Sequence, residues 1–304
     1  MDLNSEDFAR SVGSSGPVWL RGHQTRRPAP AGVRTVAAPA GITMLRADEM
    51  IVECGAGTAV DELQSALSEV GQCVNLPSSP RGSGTVGGAL ALGHSDVRRL
   101  GRGAVRDSVL RIRFVGHDGE MITAGGSTVK NVSGFDLCRL LVGSAGSLGF
   151  FSDVLLRTRP LPPRSTWWEV PADSAMVGAV YGSLFRPAAL LWNGIVLRIC
   201  LEGHPDDIDA AVARLTSLLG RSPQESTAPN VSDFPVRWSV APRLLGDVVA
   251  RAPGRCWAEI GVGTVHHTES QPRPPVQPAV ALLERRLLES FDPTGRFNPG
   301  VRDR

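Results

Sequence analysis

Several motifs that would assign a function directly are missing from this chain of 304 residues. The five cysteines include no CxxC pair, which argues against a zinc ribbon, an iron–sulfur cluster or a disulfide framework in this chain. No GxxxxGK(S/T) loop is present, and no GxGxxG follows a strand-like run. Neither a P-loop nucleotide site nor a Rossmann domain is therefore indicated.

Strong charge of either sign is also missing, since the formal net charge is +2. No basic run is interleaved with aromatic residues, which argues against nucleic acid as a partner. No apolar run approaches the roughly 18 residues that a membrane-spanning helix needs. The opening sequence MDLNSEDFAR is too acidic and polar for a secretory signal peptide. We therefore expect a cytoplasmic protein without direct membrane insertion.

Glycine and arginine, by contrast, are concentrated in the stretch from Pro77 to Phe151. Between Arg81 and Gly103 there are seven glycines and four arginines. Glycine lets the backbone approach a ligand closely, and the guanidinium group binds oxygen anions. The stretch therefore predicts a chain segment that lies along a phosphate-bearing cofactor. Lys130, the only lysine, lies in the same stretch, and either a bias towards arginine or a specific need for a compact ammonium group explains it.

Hydrophobic periodicity predicts short strands mixed with short helices, without the regular βαβ rhythm of a Rossmann domain. Strands are expected at 17–20, 50–54, 73–76, 108–115, 120–123, 149–157, 167–170 and 194–201. Helices are expected at 3–12, 136–142, 172–184, 205–219 and 279–290, and another runs to Val70. Thr58 or Asp61 is expected to cap that helix and Gly71 to end it. The segment 86–92 is small and apolar, which indicates tight packing.

Six short motifs occur together in an order and spacing that match a known family. They are VECGAGTAVDELQSALSEVGQ (52–72), TVGG (85–88), RR followed by GAVRD (98–107), KNVSGFD (130–136), GSAGSLG (143–149) and FNPG (297–300). On these motifs the chain resembles the PCMH-type FAD-binding family, which includes vanillyl-alcohol oxidase and p-cresol methylhydroxylase. Within that family it is most similar to the FAD-binding subunit of bacterial glycolate oxidase.

The resemblance implies an α+β fold with a two-subdomain FAD-binding domain and a small α+β cap or substrate domain. Proline-rich connectors at 159–165 and 271–278 agree with such a division. We expect the FAD-binding domain at 1–158, the cap or substrate domain at 159–278, and a C-terminal helix and tail at 279–304 that return to the FAD-binding domain.

The resemblance also implies FAD as the cofactor and assigns residues to it. The loop Arg21–Thr25 would hold the pyrophosphate through backbone amides, the backbone at Phe151 would meet the adenine end, and Asn298 would return the tail to the flavin domain. The implied cofactor-binding residues are Arg21, Gly22, His23, Gln24, Thr25, Pro77, Thr85, Gly87, Gly88, Gly103, Arg106, Phe151 and Asn298.

The pyrophosphate loop departs from the family pattern. The family sequence RGGG(S/T) is replaced by Arg21-Gly22-His23-Gln24-Thr25, which has one glycine instead of three. A left-handed backbone at His23 or Gln24 would cost about 1 kcal/mol each, which predicts weaker FAD binding or a rearranged loop. His23 is either a plain loop residue or a site of covalent flavin attachment, although the linking histidine of relatives aligns nearer Thr25.

A second departure concerns chemistry. Related hydroxyacid dehydrogenases carry a metal-binding HxGxGxxH motif, and here Glu259 takes the place of the first histidine while His266 keeps the second. Three interpretations are open: a structural strand and turn, a general base at His266 or His267, and a divalent metal held by Glu259 and His266. We expect no metal site, and we expect His266 as the candidate catalytic residue.

The resemblance implies an FAD-dependent oxidoreductase subunit that acts on CH–OH groups. It would oxidise, or help to oxidise, a small 2-hydroxy acid with hydride transfer to flavin N5. The implied partners are a second flavoprotein subunit and an iron–sulfur subunit, and membrane association would come only through a partner. Two alternatives are a non-catalytic assembly subunit with weakened FAD binding and a self-sufficient oxidase for an unrelated alcohol.

Overall fold

The computed structural model describes residues 5–22, 29–77, 84–126, 136–272 and 276–300. The chain divides into two compact units. The first unit comprises Met1–Asp96, Ala104–Leu161 and Pro275–Arg304, and the second comprises Val97–Gly103 and Pro162–Pro274. Each unit contains both helices and strands, so the α+β class expected from the sequence is confirmed.

The first unit contains most of the predicted N-terminal elements. With strands and α-helices numbered in chain order, they are α1 (Ser5–Val12), β1 (Val18–Leu20), β2 (Arg34–Val36), β3 (Ile42–Arg46), β4 (Ile51–Gly55), α2 (Val60–Glu69), β5 (Gln72–Cys73), α3 (Val86–Ala91), β6 (Val109–Val115), β7 (Met121–Gly125), α5 (Leu137–Leu141), β8 (Phe150–Arg157), β9 (Arg159–Pro160) and α9 (Pro278–Phe291). A short 3₁₀ helix, Val105–Ser108, precedes β6.

The main sheet of the first unit has five antiparallel strands in the order β3-β4-β8-β6-β7. Side chains alternate between the two faces of each strand, so Val52 and Cys54 of β4 enter the core while Glu53 points to the other face. On that other face Glu53 pairs with Arg111 at 2.5 Å. Separate two-stranded sheets join β1 to β2 in parallel and β5 to β9.

The second unit is built on a seven-stranded antiparallel sheet. Its elements are α4 (Arg99–Arg102), β10 (Arg164–Pro171), α6 (Ser174–Ser183), β11 (Ala189–Trp192), β12 (Val196–Gly203), α7 (Pro205–Leu219), β13 (Gln224–Ser226), β14 (Val236–Ser239), α8 (Leu245–Arg251), β15 (Cys256–Glu259) and β16 (Thr264–His267). The strand order is β13-β10-β12-β11-β15-β16-β14. Apolar residues of α6, α7 and α8 cover one face.

Helix α4 is attached to this second sheet by a buried ion pair. The guanidinium of Arg102 donates to both carboxylate oxygens of Glu202, at 3.0 and 2.6 Å. Arg98 approaches the same carboxylate at 3.0 Å. Burial by itself would raise the pKa of Glu202, but Arg102 and Arg98 outweigh burial and lower that pKa below its ordinary value.

Most predicted elements are confirmed within a few residues, and two local predictions are wrong. Thr58 does not cap helix α2, because its Oγ1 accepts from the Gly41 amide at 2.9 Å, and the N-cap residue Ala59 makes no side-chain hydrogen bond. The strand expected at 73–76 is only Gln72–Cys73. The segment 86–92 is tightly packed as expected, with Val86 and Leu90 fully buried, and it contains the helix α3, which Thr85 caps.

Candidate functional site

The end of strand β1 leads into the predicted pyrophosphate loop. Arg21 follows β1, and its amide donates to the Val36 carbonyl oxygen at 2.7 Å. Arg21 and Gly22 are both exposed. A Cβ placed on Gly22 would lie 3.4 Å from Thr85 Oγ1, so the loop begins beside the first turn of α3. His23, Gln24 and Thr25, which were assigned to the same loop, lie outside the described residues.

The first turn of α3 packs closely against the turn between β4 and α2. Thr85 is the N-cap, and its side chain accepts from the Gly88 amide at 3.1 Å. The Gly87 amide donates to the Ala56 carbonyl oxygen at 2.8 Å. A Cβ on Gly87 would lie 2.7 Å from the Ala56 Cβ and 2.8 Å from the Ala56 oxygen, which no side chain can occupy without a shift. Glycine at this position is therefore required for the close approach.

Asn298 joins two segments of the first unit. Its Oδ1 accepts from the Leu20 amide at 2.9 Å, and its Nδ2 donates to the carbonyl oxygens of Ala145 and Gly146 at 3.2 and 3.4 Å. The same tail pairs with β1, because the Val18 amide donates to Arg296 and the Asn298 amide donates to Val18, both at 2.9 Å. Asn298 thus connects the strand before the predicted pyrophosphate loop with the segment GSAGSLG.

The remaining predicted cofactor residues lie on other segments. Pro77 is half-buried and follows the short strand β5. Arg106 is exposed on the 3₁₀ helix, with its Nε 3.9 Å from Asp107 Oδ1. Phe151 is 2% exposed on β8 and packs in the core. Gly103 ends α4 with φ +84° and belongs to the second unit.

These residues of the first unit fit a dinucleotide cofactor. The exposed loop start at Gly22 adjoins the first turn of α3, whose Gly87 lets that turn pack directly against the turn between β4 and α2. Backbone amides and the Arg21 guanidinium are groups that bind pyrophosphate oxygens. Asn298 connects β1, which leads to Arg21 and Gly22, with the segment 143–149, and Gly22 lies beside Thr85.

The second unit contains a buried cluster of Glu259, His266 and Arg237. Glu259 Oε1 lies 2.7 Å from His266 Nε2 and 3.6 Å from Arg237 Nη2. Glu259 and His266 are 1% and 5% exposed. In the tautomer that carries its hydrogen on Nε2, His266 donates to this carboxylate oxygen. The second oxygen, Oε2, is buried and has no hydrogen-bond partner within the described residues.

The contacts of Glu259, His266 and His267 bear on the three interpretations of the Glu259 motif, which are a structural strand and turn, a general base and a metal site. No group of three or more metal-binding side chains occurs in the part of the chain that the structure describes. Glu259 instead contacts His266 directly. His267 lies on the opposite face of β16, where its ring stacks on Trp238 with centroids 4.2 Å apart and its Nδ1 accepts from the Glu269 amide at 2.8 Å.

Two arginines at the candidate sites were not predicted from the sequence. Arg237 lies on β14, which pairs with β16 and sets Arg237 opposite His266, but no strand was predicted there. Arg296 is 4% exposed and donates to backbone carbonyls near the end of α1. The position of Arg296 directly before the motif FNPG is the sequence feature that could have drawn attention to it.

The family model for the FAD binding domain matches residues 35–125. The chain is 32% identical over 167 residues to "Glycolate oxidase subunit GlcE" of Escherichia coli (strain K12), covering 53% of this chain and 47% of that protein. Residues 35–125 thus match an FAD-binding domain, in agreement with the resemblance to the PCMH-type family. FAD is accordingly the cofactor that these findings indicate, as the resemblance implied.

Other relatives agree with this assignment. "D-lactate dehydrogenase" of Archaeoglobus fulgidus is 38% identical over 115 residues, which cover 38% of this chain and 26% of that protein. "Glycolate oxidase subunit GlcD" of Bacillus subtilis (strain 168) is 38% identical over 119 residues, covering 38% of this chain and 25% of that protein. The chain thus spans about half or less of the length of the curated relatives it matches.

Solved structures extend the likeness of fold to almost the whole chain. An alkyldihydroxyacetonephosphate synthase superposes with a TM-score of 0.71 at 14% identity, covering 97% of this chain and 74% of that chain. The grass pollen allergen Phl p 4, titled as having glucose dehydrogenase activity, superposes with a TM-score of 0.53 at 14% identity over 69% of this chain and 47% of that chain. Within the described ranges, no helix is long and apolar enough to span a bilayer.

Proposed function

We propose that this chain is an FAD-dependent oxidoreductase subunit that takes part in oxidising a small 2-hydroxy acid. The observation that carries the proposal is the match to the glycolate oxidase subunit GlcE, and it is supported by the position of Gly22 beside Thr85 and by the hydrogen bond from Leu20 to Asn298. The relatives named D-lactate and D-2-hydroxyglutarate dehydrogenase favour the same substrate class. When bound, FAD supplies the hydride-accepting N5.

The second unit would act as the substrate domain in this proposal. Glu259 holds Nε2 of His266, which leaves Nδ1 as the nitrogen to accept the proton of a substrate hydroxyl. Arg237 beside the carboxylate keeps a positive charge in the same cluster, which suits an acidic substrate. The unsatisfied Oε2 of Glu259 is a polar atom that a bound hydroxyl group would satisfy.

The names of two relatives support a proposal about the partner subunits of this chain. GlcE and GlcD are each named as a subunit of glycolate oxidase. We propose that this chain likewise works with a second flavoprotein subunit. An iron–sulfur cluster would lie on a further subunit, because the five cysteines here are all buried and separate.

The experiment that tests this proposal is anaerobic reduction of the flavin-loaded chain by a panel of small 2-hydroxy acids. The chain is tested alone and after reconstitution with its second flavoprotein subunit. Bleaching of the visible flavin absorbance by a 2-hydroxy acid, and not by the matching 2-deoxy acid, is the expected result. No bleaching in either preparation would remove the oxidoreductase proposal.

A non-catalytic assembly subunit is the second candidate. The direct contact between Glu259 and His266 favours it, because a carboxylate replaces the first histidine of the metal-binding motif and closes on the second. A complex assembled with a Gly87→Ala chain, assayed at an FAD concentration too low to load this weaker-binding variant, distinguishes the two candidates. Full activity of that complex supports the assembly role, and loss of activity supports the catalytic one.

A further inference from the structure

The C-terminal tail Arg296–Asn298 is held at its start by an unusual set of contacts. The guanidinium of Arg296 donates to the carbonyl oxygens of Val12, Gly13, Gly16 and His117 at 2.7 to 3.1 Å, and to Ser15 at 3.3 Å. The oxygens of Val12 and Gly13 lie at the C-terminal end of α1, where a cation is favoured. Burial and the neighbouring Arg34 lower the pKa of Arg296.

The contacts on either side of Arg296 fix the direction of the tail. Asp292 accepts from the amides of Arg296 and Phe297 at 3.0 and 2.9 Å. Phe297 pairs in parallel with Val18, and its ring lies 4.6 Å from that of Phe150. The tail therefore extends the small β1–β2 sheet and reaches Asn298 in a defined orientation.

Asn298 occupies a strained backbone position beside a second strained residue. The described chain contains four non-glycine residues with positive φ, and two of them, Asn298 (φ +45°) and Ala145 (φ +55°), meet at this contact. Asparagine tolerates the left-handed region better than most residues, and such strain concentrates at functional sites. The contact of Asn298 with this segment also depends on glycine at position 146, because a Cβ there would lie 2.6 Å from Asn298 Nδ2.

We infer that Asn298 is a positioning residue that couples the strand entering the pyrophosphate loop to the segment 143–149, so that FAD retention depends on this coupling. Its side chain accepts on one side and donates on the other, so a single amide connects both segments. Strand β1 ends at Leu20 and leads directly to Gly22, which lies beside Thr85 in the first turn of α3, so the contact that holds Leu20 also sets where Gly22 lies. The inference rests on the FAD site used in the proposed function.

Two variants separate the two halves of the contact. Asn298→Asp keeps the acceptor for Leu20 but sets a carboxylate oxygen against the carbonyls of Ala145 and Gly146. Asn298→Gly keeps the left-handed backbone and removes both halves. Asn193→Asp is the matched control, because Asn193 Oδ1 likewise accepts from backbone amides, at 2.9 and 3.0 Å, but lies in the second unit.

The test measures hydrogen exchange in the FAD-free chain and FAD affinity by titration. In Asn298→Asp we expect the amides of 143–149 to exchange faster, with little change at the Leu20 amide. In Asn298→Gly we expect faster exchange both in 143–149 and at Leu20. In both variants FAD should bind roughly tenfold more weakly or worse, which corresponds to about 1.4 kcal/mol. The control should leave both quantities unchanged.

Unchanged exchange in Asn298→Gly, or unchanged FAD affinity in either variant, would overturn the inference. Far-ultraviolet circular dichroism establishes that each variant is folded, and Gly146→Ala disrupts the same contact from the other side if an Asn298 variant does not fold. If the unmodified chain bound no FAD, the proposed function would fail, whereas the exchange data would still decide whether Asn298 couples the two segments.

Discussion

At the scale of single residues, one methyl group decides whether α3 can approach the β4–α2 turn. We expect Gly87→Ala to lower the free energy of unfolding by about 1–3 kcal/mol, because its Cβ overlaps Ala56, and to weaken FAD binding. Chemical denaturation and FAD titration measure the two effects. Gly178→Ala is the matched control within α6, since a Cβ there meets nothing within 4 Å. It should stabilise the chain by up to about 1 kcal/mol, and an equal loss in both variants would contradict the packing argument.

His266 and His267 are adjacent in sequence but point to opposite faces of one strand. We expect His266→Gln to slow anaerobic flavin reduction by roughly 10²–10⁴-fold, the contribution of a general base, without changing FAD affinity. His267→Gln should leave the reduction rate nearly unchanged, because that ring is stacked on Trp238. Rapid-mixing absorbance measures both rates. Equal rates in the unmodified chain and His266→Gln would leave the Glu259–His266 pair with a structural role only.

At the scale of elements, the attachment of α4 to β12 depends on charge. We expect Glu202→Gln to lower the free energy of unfolding by about 3 kcal/mol at neutral pH, because two largely buried arginines lose their carboxylate. Chemical denaturation of Glu49→Gln is the control, since its pair with Arg46 is exposed and should contribute less than about 1 kcal/mol.

The pH dependence of this ion pair has a definite sign. The folded-state pKa of Glu202 lies below its ordinary value of 4.5, so its stabilisation is fully present above pH 4.5 and is lost as pH falls through the folded-state pKa. The difference in stability between the unmodified chain and Glu202→Gln should therefore shrink below pH 4.5. A difference that stays constant down to acid unfolding would show that the pair contributes through packing rather than charge.

Elements with strong periodicity were predictable, and caps and short strands were not. Helix α7 begins and ends at the predicted residues because Pro205 opens it and Gly220, with φ +64°, ends it. Thr85 was recognised as part of a motif but not as a helix cap, because the turn it caps contains two glycines and reads as a loop. Strand β14 was missed because it is short and only partly buried, and with it the position of Arg237 was missed.

At the scale of the whole molecule, the motifs predicted the cofactor better than they predicted the division of the chain. Proline-rich connectors mark where the backbone changes composition, but they do not show that 97–103 groups with the second unit. Contacts between residues far apart in sequence join this segment to the second unit, among them the ion pair of Arg102 with Glu202 and the hydrogen bond from the Gly101 amide to Ala188. The contacts of Asn298 with Leu20 and Gly146 were hidden for the same reason, although the motif FNPG pointed to their importance.

The central claim is that this chain binds FAD, and titration of the purified, flavin-free chain with FAD tests it most directly. Quenching of flavin fluorescence that saturates at one FAD per chain is the predicted result, with a loss of at least about tenfold in affinity for Gly87→Ala. A folded chain that shows no saturable binding of FAD would contradict the account.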